Sequence, residues 1–313
     1  MRLFLMGPFH EGELAVQRRA GVAANAERIG RIIRREIPEA ARAFAAAQRF
    51  VILGAADAAG RVWATLLQGE PGFLSAPTEE LLRIDARPPP GDPLAESLGS
   101  EADVGLLVIH PATRRRMRVN GRSHPREPNG LEIATREVYS NCHKYIRPRE
   151  VGLPRATGRR SVVQRGGALT PAQAAWLAVA DTLFIASRHP RAGADVSHRG
   201  GPPGFVRVSA PDRLVIPDYP GNMMFNTLGN LAADPRAGLL LVDFDGGGTL
   251  QLTGRAAIHW DPAVWGDFPG AERLVELRID EVVASTSQIG GSAPLVGGSV
   301  MAAEAECSTE GQR

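Results

Sequence analysis

Three short segments hold the side chains best suited to chemistry. The first runs Ser197-His198-Arg199-Gly200-Gly201-Pro202-Pro203-Gly204. A guanidinium is a planar fork that matches two oxygens of an oxyanion, so Arg199 suits a phosphate. Ser197 adds a hydroxyl, His198 a ring donor, and Gly200 and Gly201 let backbone N–H groups come close. The competing reading is a solvated hairpin turn. The second segment is Asn226-Thr227-Leu228-Gly229-Asn230. In a helix Asn226 and Asn230, four apart, share a face, and two carboxamides there both donate to and accept from one polar edge, with Thr227 beside them. A polar face in water is the alternative. The third is Cys142-His143-Lys144, which holds the only lysine among 36 basic residues. In a chain that otherwise uses arginine, a retained ammonium points to a compact point charge, and chance retention is the rival explanation.

Other chemistry is poorly supported. Cys142-His143 with His110 or His124 lacks zinc spacing, and no nucleotide-hydrolase loop or dinucleotide fingerprint is present. His143 and His198 are the acid–base candidates, but no catalytic residue is compelled. Cys142 reads as an inert thiol or as one activated by basic neighbours. The Arg114-Arg115-Arg116 run reads as a solvated hairpin, with an anionic partner as the minor alternative. A net charge of +2 gives no reason to expect nucleic acid or a membrane as partner. Two distant cysteines, Cys142 and Cys307, make a disulfide framework unlikely to be the organising device and fit a reducing, cytoplasmic setting. The opening apolar run is too short for a signal peptide, and no stretch reaches the length of a membrane span.

The elements that must position these residues come in two copies. Residues 49–122 align with 182–255: Gly72-Phe73-Leu74 with Gly204-Phe205-Val206, Gly105-Leu106-Leu107 with Gly238-Leu239-Leu240, Gly121-Arg122 with Gly254-Arg255. The spacing stays within about one residue of 133, which marks a duplicated module. In the second copy Thr170 caps and Pro171 opens a short helix. Short strands follow at 182–187, 195–198, 204–209 and 213–217, then a helix at 222–233 with Asn222 as its cap. Strands at 237–244, 249–260 and 272–285 complete the copy. Short antiparallel strands with small helices predict a closed barrel without free edges. Ahead of the first copy, Glu13–Ile37 carries isoleucines at helical spacing until Pro38, a helix expected to pack on the first barrel. The predicted organisation is a helical segment at 1–38, a first barrel at 39–146, a linker at 147–167, a second barrel at 168–285 and a mobile tail at 286–313.

The run Asp195-Val196-Ser197-His198-Arg199-Gly200-Gly201-Pro202-Pro203-Gly204-Phe205, followed by Gly221-Asn222-Met223-Met224-Phe225-Asn226-Thr227-Leu228-Gly229-Asn230-Leu231, resembles the pyridoxamine 5′-phosphate oxidase-like family of flavin-binding split barrels. Phe9-His10-Glu11-Gly12-Glu13, Val16-Gln17-Arg18-Arg19-Ala20-Gly21-Val22 and Asn141-Cys142-His143-Lys144-Tyr145-Ile146-Arg147 resemble a tandem, two-barrel branch of it. The likeness spans roughly residues 9–285. It implies a mainly β fold with flanking helices (α+β), in which two split barrels form a pseudo-dimer within the chain, with a homodimer of chains also open. It further implies flavin mononucleotide (FMN), or heme or the deazaflavin F420, at the barrel–barrel seam. On this reading Ser197, His198, Arg199 and Gly200 take the phosphate, Asn226, Thr227 and Asn230 the ring edge, and Lys144 faces the ring from the other barrel. Trp63 is a barrel-core residue or, less simply, a ring neighbour. The halves look complementary, which implies one flavin per chain. The expected function is an FMN-dependent oxidoreductase acting on a small molecule, with NAD(P)H as a possible electron source. The alternatives are a non-catalytic flavin or heme carrier, or structural barrels with a protein-binding role. Oxidation of pyridoxamine phosphate itself is not implied.

Overall fold

The sequence repeat reappears in the strand order. The computed structural model describes residues 7–151, 160–264 and 268–287. Strands β1 (Phe50–Ala56), β2 (Val62–Gln68), β3 (Leu74–Thr78), β4 (Leu81–Ile84), β5 (Ala102–His110), β6 (Arg115–Arg126) and β7 (Gly130–Ser140) form one sheet in the order β2-β1-β5-β6-β7-β4-β3. After β8 (Arg160–Gly166) come β9 (Thr182–His189), β10 (Gly193–Gly200), β11 (Arg207–Ala210), β12 (Arg213–Asp218), β13 (Arg236–Val242), β14 (Thr249–His259) and β15 (Arg273–Ser287). These form a second sheet in the order β10-β9-β13-β14-β15-β12-β11. Each strand of the second order is the counterpart of a strand in the first, and the chain is two split barrels in tandem. Strand β8 lies inside the segment read as a linker and extends the second sheet along β15. The expected tail falls outside the described residues from 288 onward, as does Cys307.

Alternation along the strands explains why the barrels stay together. In β1, Val51, Leu53 and Ala55 point into the first core, whereas Phe50 and Ile52 point out of it. In β9, Leu183 and Ile185 fill the second core, while Phe184 and Ala186 face outward. These outward residues meet in a shared cluster with Leu107, Ile109, Leu240 and Val242. The strands are therefore apolar on both faces, and their unbroken hydrophobic runs are those of a sheet buried on two sides. Two glycines set the closeness of approach. A Cβ at Gly105 would stand 2.5 Å from the Asp195 Cα, and one at Gly238 would stand 2.6 Å from the Trp63 Cα. By register Trp63 and Asp195 occupy matching places opposite Gly54–Ala55 and Ala186–Ser187, so the two contacts are related as in a symmetric dimer. The Trp63 side chain itself turns away into the first core, as expected of a barrel-core tryptophan, where it is fully buried with its indole N–H donating to Asp57.

The helices depart from expectation in two respects. The single helix over Glu13–Ile37 is instead α1 (Glu11–Arg19) and α2 (Ala23–Gly30), broken at Gly21, whose φ of +71° suits glycine. Helix α1 also docks on the second barrel rather than the first. It crosses α5 (Asn226–Ala233) where Gly12 faces Gly229, so close that a Cβ on Gly12 would lie 2.3 Å from the Gly229 carbonyl oxygen. Helix α3 (Glu39–Ala46) follows Pro38, and α4 (Pro171–Val179) carries the expected Thr170 cap, completed by Gln173. His10 caps α1: its Nδ1 accepts from the N–H groups of Gly12 and Glu13, and its Nε2 donates to Asn230 at 2.9 Å. Burial and the neighbouring His189 hold the His10 pKa down to about 4.

Substituting Gly238 with valine drives a side chain into the Val62–Trp63 backbone. The expected loss is about 3 kcal/mol of stability, read as a lower midpoint in urea unfolding; a midpoint equal to wild type contradicts the contact. The His10 cap gives a pH dependence. Between its ordinary value of 6.5 and about 4 the unfolded imidazole binds a proton that the folded one refuses. Stability therefore falls as pH drops through that window. His10→Asn keeps a capping acceptor without the titration, so its loss of stability between pH 7 and pH 5 should be smaller than that of the wild type. Equal losses in the two proteins would exclude His10 as a contributor.

Candidate functional site

At one end of the seam, β6 of the first barrel faces β10 of the second across a cleft. Both barrels line it, around a cavity volume of about 120 Å³. Strand alternation sends Arg116 and Arg118 inward from β6, two apart on one face. Opposite them stand Ser197, His198, Arg199 and Gly200 of β10. The segment after β7 contributes Cys142, Lys144 and Tyr145, and the segment after β12 leads through Tyr219 to Asn226 and Thr227 at the start of α5. Lys144 and Arg199 thus open onto one cleft, from different barrels.

The charges in this cleft do not balance. Arg118 is buried and ion-paired to Asp195, 2.9 Å away. It also donates to the Tyr139 hydroxyl at 2.8 Å and to Ser197. Burial works against the Arg118 cation, but Asp195 and Tyr139 outweigh it and hold its pKa above the ordinary value. Arg199 and Arg273 share Asp218, at 2.6 and 2.9 Å, and Arg273 also meets Glu272. Arg116 has no carboxylate partner among the described residues, and its Nε is buried without a hydrogen-bond partner. Burial and the adjacent Arg118 cation lower its pKa to about 10. Lys144 is exposed at the mouth. Five cations line the cleft, and the carboxylates that answer them are Asp218, Asp195 and Glu272. The unanswered charge is close to the −1.5 to −2 of a phosphate monoester at about pH 7.

Two further features suit an anion. Phe225, the residue before α5, offers no side-chain cap, and Asn226, Thr227 and Leu228 of the first turn of α5 line the cleft. Met223 and Phe225 both hold left-handed backbone, with φ of +62° and +61°. For residues with side chains this conformation costs roughly 1–3 kcal/mol each, and both line the cleft.

Seven of the eight residues singled out in the sequence line this cleft; Asn230 does not. Its side chain is buried between His10 and Ser187, donating to the Ser187 hydroxyl at 3.0 Å. Asn226 donates to Glu13 at 2.6 Å and borders Arg118, and Thr227 shares a 2.9 Å hydrogen bond with Ser197. His198 receives the Arg116 guanidinium on Nδ1 at 3.3 Å. Burial and the Arg116 and Arg199 cations push its pKa well below the ordinary value, so the ring is neutral with its proton on Nε2. Gly200 has a different use from the expected phosphate approach. A Cβ there would lie 2.2 Å from the Tyr145 carbonyl oxygen, so glycine admits the strap that carries Lys144. Tyr145 stacks on Tyr219 with ring centres 5.4 Å apart and donates to the Pro220 carbonyl, fastening that strap to the second barrel. Asn222 caps no helix; its Oδ1 accepts from the Met224 N–H. His143 is exposed and lies outside the lining.

Arg116 and Arg118 are the main residues that sequence reasoning missed. The hairpin reading holds for Arg114 and Arg115, which are exposed around a turn at Arg114. The signal was the alternation Arg116-Met117-Arg118-Val119, in which Met117 and Val119 belong to the first core, so the arginines must point the other way, toward the seam. A second polar cluster gathers His10, Glu11 and His189, whose potential ligand atoms lie within 4.8 Å of one another. In both histidines Nδ1 accepts backbone N–H groups, which leaves the proton on Nε2 and no lone pair for a metal.

Among the described residues no helix is long and apolar enough to cross a membrane. No curated protein matches the chain. Solved structures similar to single barrels include a putative pyridoxamine 5′-phosphate oxidase from Lactobacillus delbrueckii, 20% identical, with a TM-score of 0.32, covering 37% of this chain and 94% of that one. An FMN-binding protein from Syntrophomonas wolfei is 8% identical with a TM-score of 0.29, covering 36% and 82%. The heme storage protein HutZ from Vibrio cholerae is 12% identical with a TM-score of 0.29, covering 39% and 97%. Residues 169–290, the second barrel that supplies Ser197, Arg199 and the start of α5 to the cleft, match the sequence model of pyridoxamine 5′-phosphate oxidase.

Proposed function

We propose that the cleft binds flavin mononucleotide and that the protein is an oxidoreductase acting on a small molecule, with electrons from NAD(P)H or a partner protein. The observation that carries this reading is Arg116, a guanidinium turned into the seam with a buried, unpartnered Nε and no carboxylate among the described residues. A half-buried cation without a counter-charge is costly, and an anion in the cleft would supply one. Arg116 from one barrel, with Ser197 and Thr227 from the other, would hold the phosphate over a floor fixed by the Arg118–Asp195 pair. Arg199, already tied to Asp218, would border it. Lys144 reaches the mouth on the strap beside Tyr145, where an ammonium favours negative charge on a reduced ring. When bound, the flavin supplies the electron-transfer chemistry itself. The residues of this chain orient it, shield it between the barrels and set its potential.

The state of His198 favours flavin over heme. Heme iron ligation through Nε2 requires the proton on Nδ1, but Arg116, which can only donate, occupies that nitrogen. A cytoplasmic, reducing setting fits the free thiol of Cys142 at the mouth. The test is a flavin titration of the purified protein followed by its visible spectrum. FMN uptake with a flavin spectrum is expected, and Arg116→Ala should weaken it about 10- to 100-fold, the value of a charge-assisted contact. Lys144→Gln should leave affinity within a few-fold and lower the reduction potential of the bound flavin. A protein that takes up no FMN, or an Arg116→Ala variant that binds like wild type, overturns the assignment.

A further inference from the structure

The two barrels are related as a symmetric pair, so the seam has a second end that matches the cleft. By strand register, Thr65 stands where Ser197 does, Leu67 where Arg199 does, Gln251 where Arg118 does and Thr249 where Arg116 does. At each of these places a charged or anion-binding residue of the open cleft has a neutral counterpart, and all four counterparts are buried. The segment between β4 and β5 differs in kind from its counterpart between β12 and β13. In the second barrel that connection starts α5 at the cleft. In the first it is the proline-braced run Pro88-Pro89-Pro90-Gly91-Asp92-Pro93-Leu94, which carries Leu94 and Leu98 into full burial.

Asp92 sits at the centre of the closure. Its carboxylate accepts from the Thr65 hydroxyl, from the Gln251 amide at 3.1 Å and from the Leu94 N–H at 2.9 Å. Gln251 uses its amide again on the Ala64 carbonyl, at 3.0 Å. The Asp92 carboxylate meets the neutral Gln251 here, whereas at the open end the buried carboxylate is that of Asp195, ion-paired to Arg118, the counterpart of Gln251.

We infer that this second end of the seam is a retired binding site, closed by the Thr65–Asp92–Gln251 latch, and that the chain therefore holds a single anionic ligand, in a cleft that one chain completes by itself. The inference rests on the flavin reading of the open cleft. The two fail differently in a calorimetric titration of the full-length protein with FMN. One FMN per chain is expected, with Arg116→Ala weakening that one transition and Asp92→Asn leaving FMN affinity within about twofold while lowering the unfolding midpoint. Two FMN per chain overturns the retired site and leaves the open cleft standing. One FMN per chain that is lost in Asp92→Asn but kept in Arg116→Ala puts the ligand at the wrong end and overturns the inference. No uptake at all removes the flavin reading and the inference with it.

Discussion

The rest of the structure depends on the close contact of two sheets that are apolar on both faces. β1 and β5 of the first barrel and β9 and β13 of the second each send alternate residues into their own core and the others into the seam. Gly105 and Gly238 remove the side chains that would hold the backbones apart. The area so buried is large in hydrophobic worth, and it fixes the mutual position of β6 and β10. A cleft lined by β6 of one barrel and by β10 and α5 of the other needs that fixity, because a charge-assisted contact is lost within about an ångström of misplacement.

Within this frame the arginines of β6 serve two different purposes. Arg118 is already satisfied by Asp195, Tyr139 and Ser197, so it stiffens the floor and adds little free positive charge. Arg116, two residues earlier, has a neutral imidazole and, among the described residues, no carboxylate against it. Paired buried charges are roughly neutral for stability, whereas an unpaired one is costly. The fold tolerates Arg116 because the seam and the second core supply stability elsewhere. The two left-handed residues beside α5, Met223 and Phe225, belong to the same pattern of local cost at the cleft.

Much of the barrel architecture was legible in the sequence because two physical signals repeat. The spacing of about 133 between glycine and leucine runs exposed the duplication, and turn residues marked nearly every strand of the second copy. Less legible were contacts between distant segments. Residues 13–37 showed one helical period, but Gly21 and the Gly12–Gly229 crossing, which no local pattern reveals, split it and sent α1 to the other barrel. Asn226 and Asn230 do share a helix, yet only Asn226 faces the cleft, because His10 arrives from that same α1 crossing and takes Asn230. Arg116 was hidden by its neighbours: Arg114 and Arg115 are exposed, and the run looked uniform until the register of β6 separated its third member from the first two.

Duplication within one chain has a consequence that a dimer of identical chains cannot have. In a symmetric homodimer any residue that improves one end of the seam must appear at both ends. Here Arg118 and Gln251 occupy equivalent places yet differ, as do Arg116 and Thr249. Each barrel is thereby released from serving both roles: the second has a helix that starts at the cleft, and the first has a proline-braced strap and a buried carboxylate in its place. The trade is physically reasonable, since an open, cation-lined cleft carries unpaired charge and strain, while the closed end returns a fully hydrogen-bonded polar latch to the seam. The stability of the closed end thus helps to support the cost concentrated at the open one.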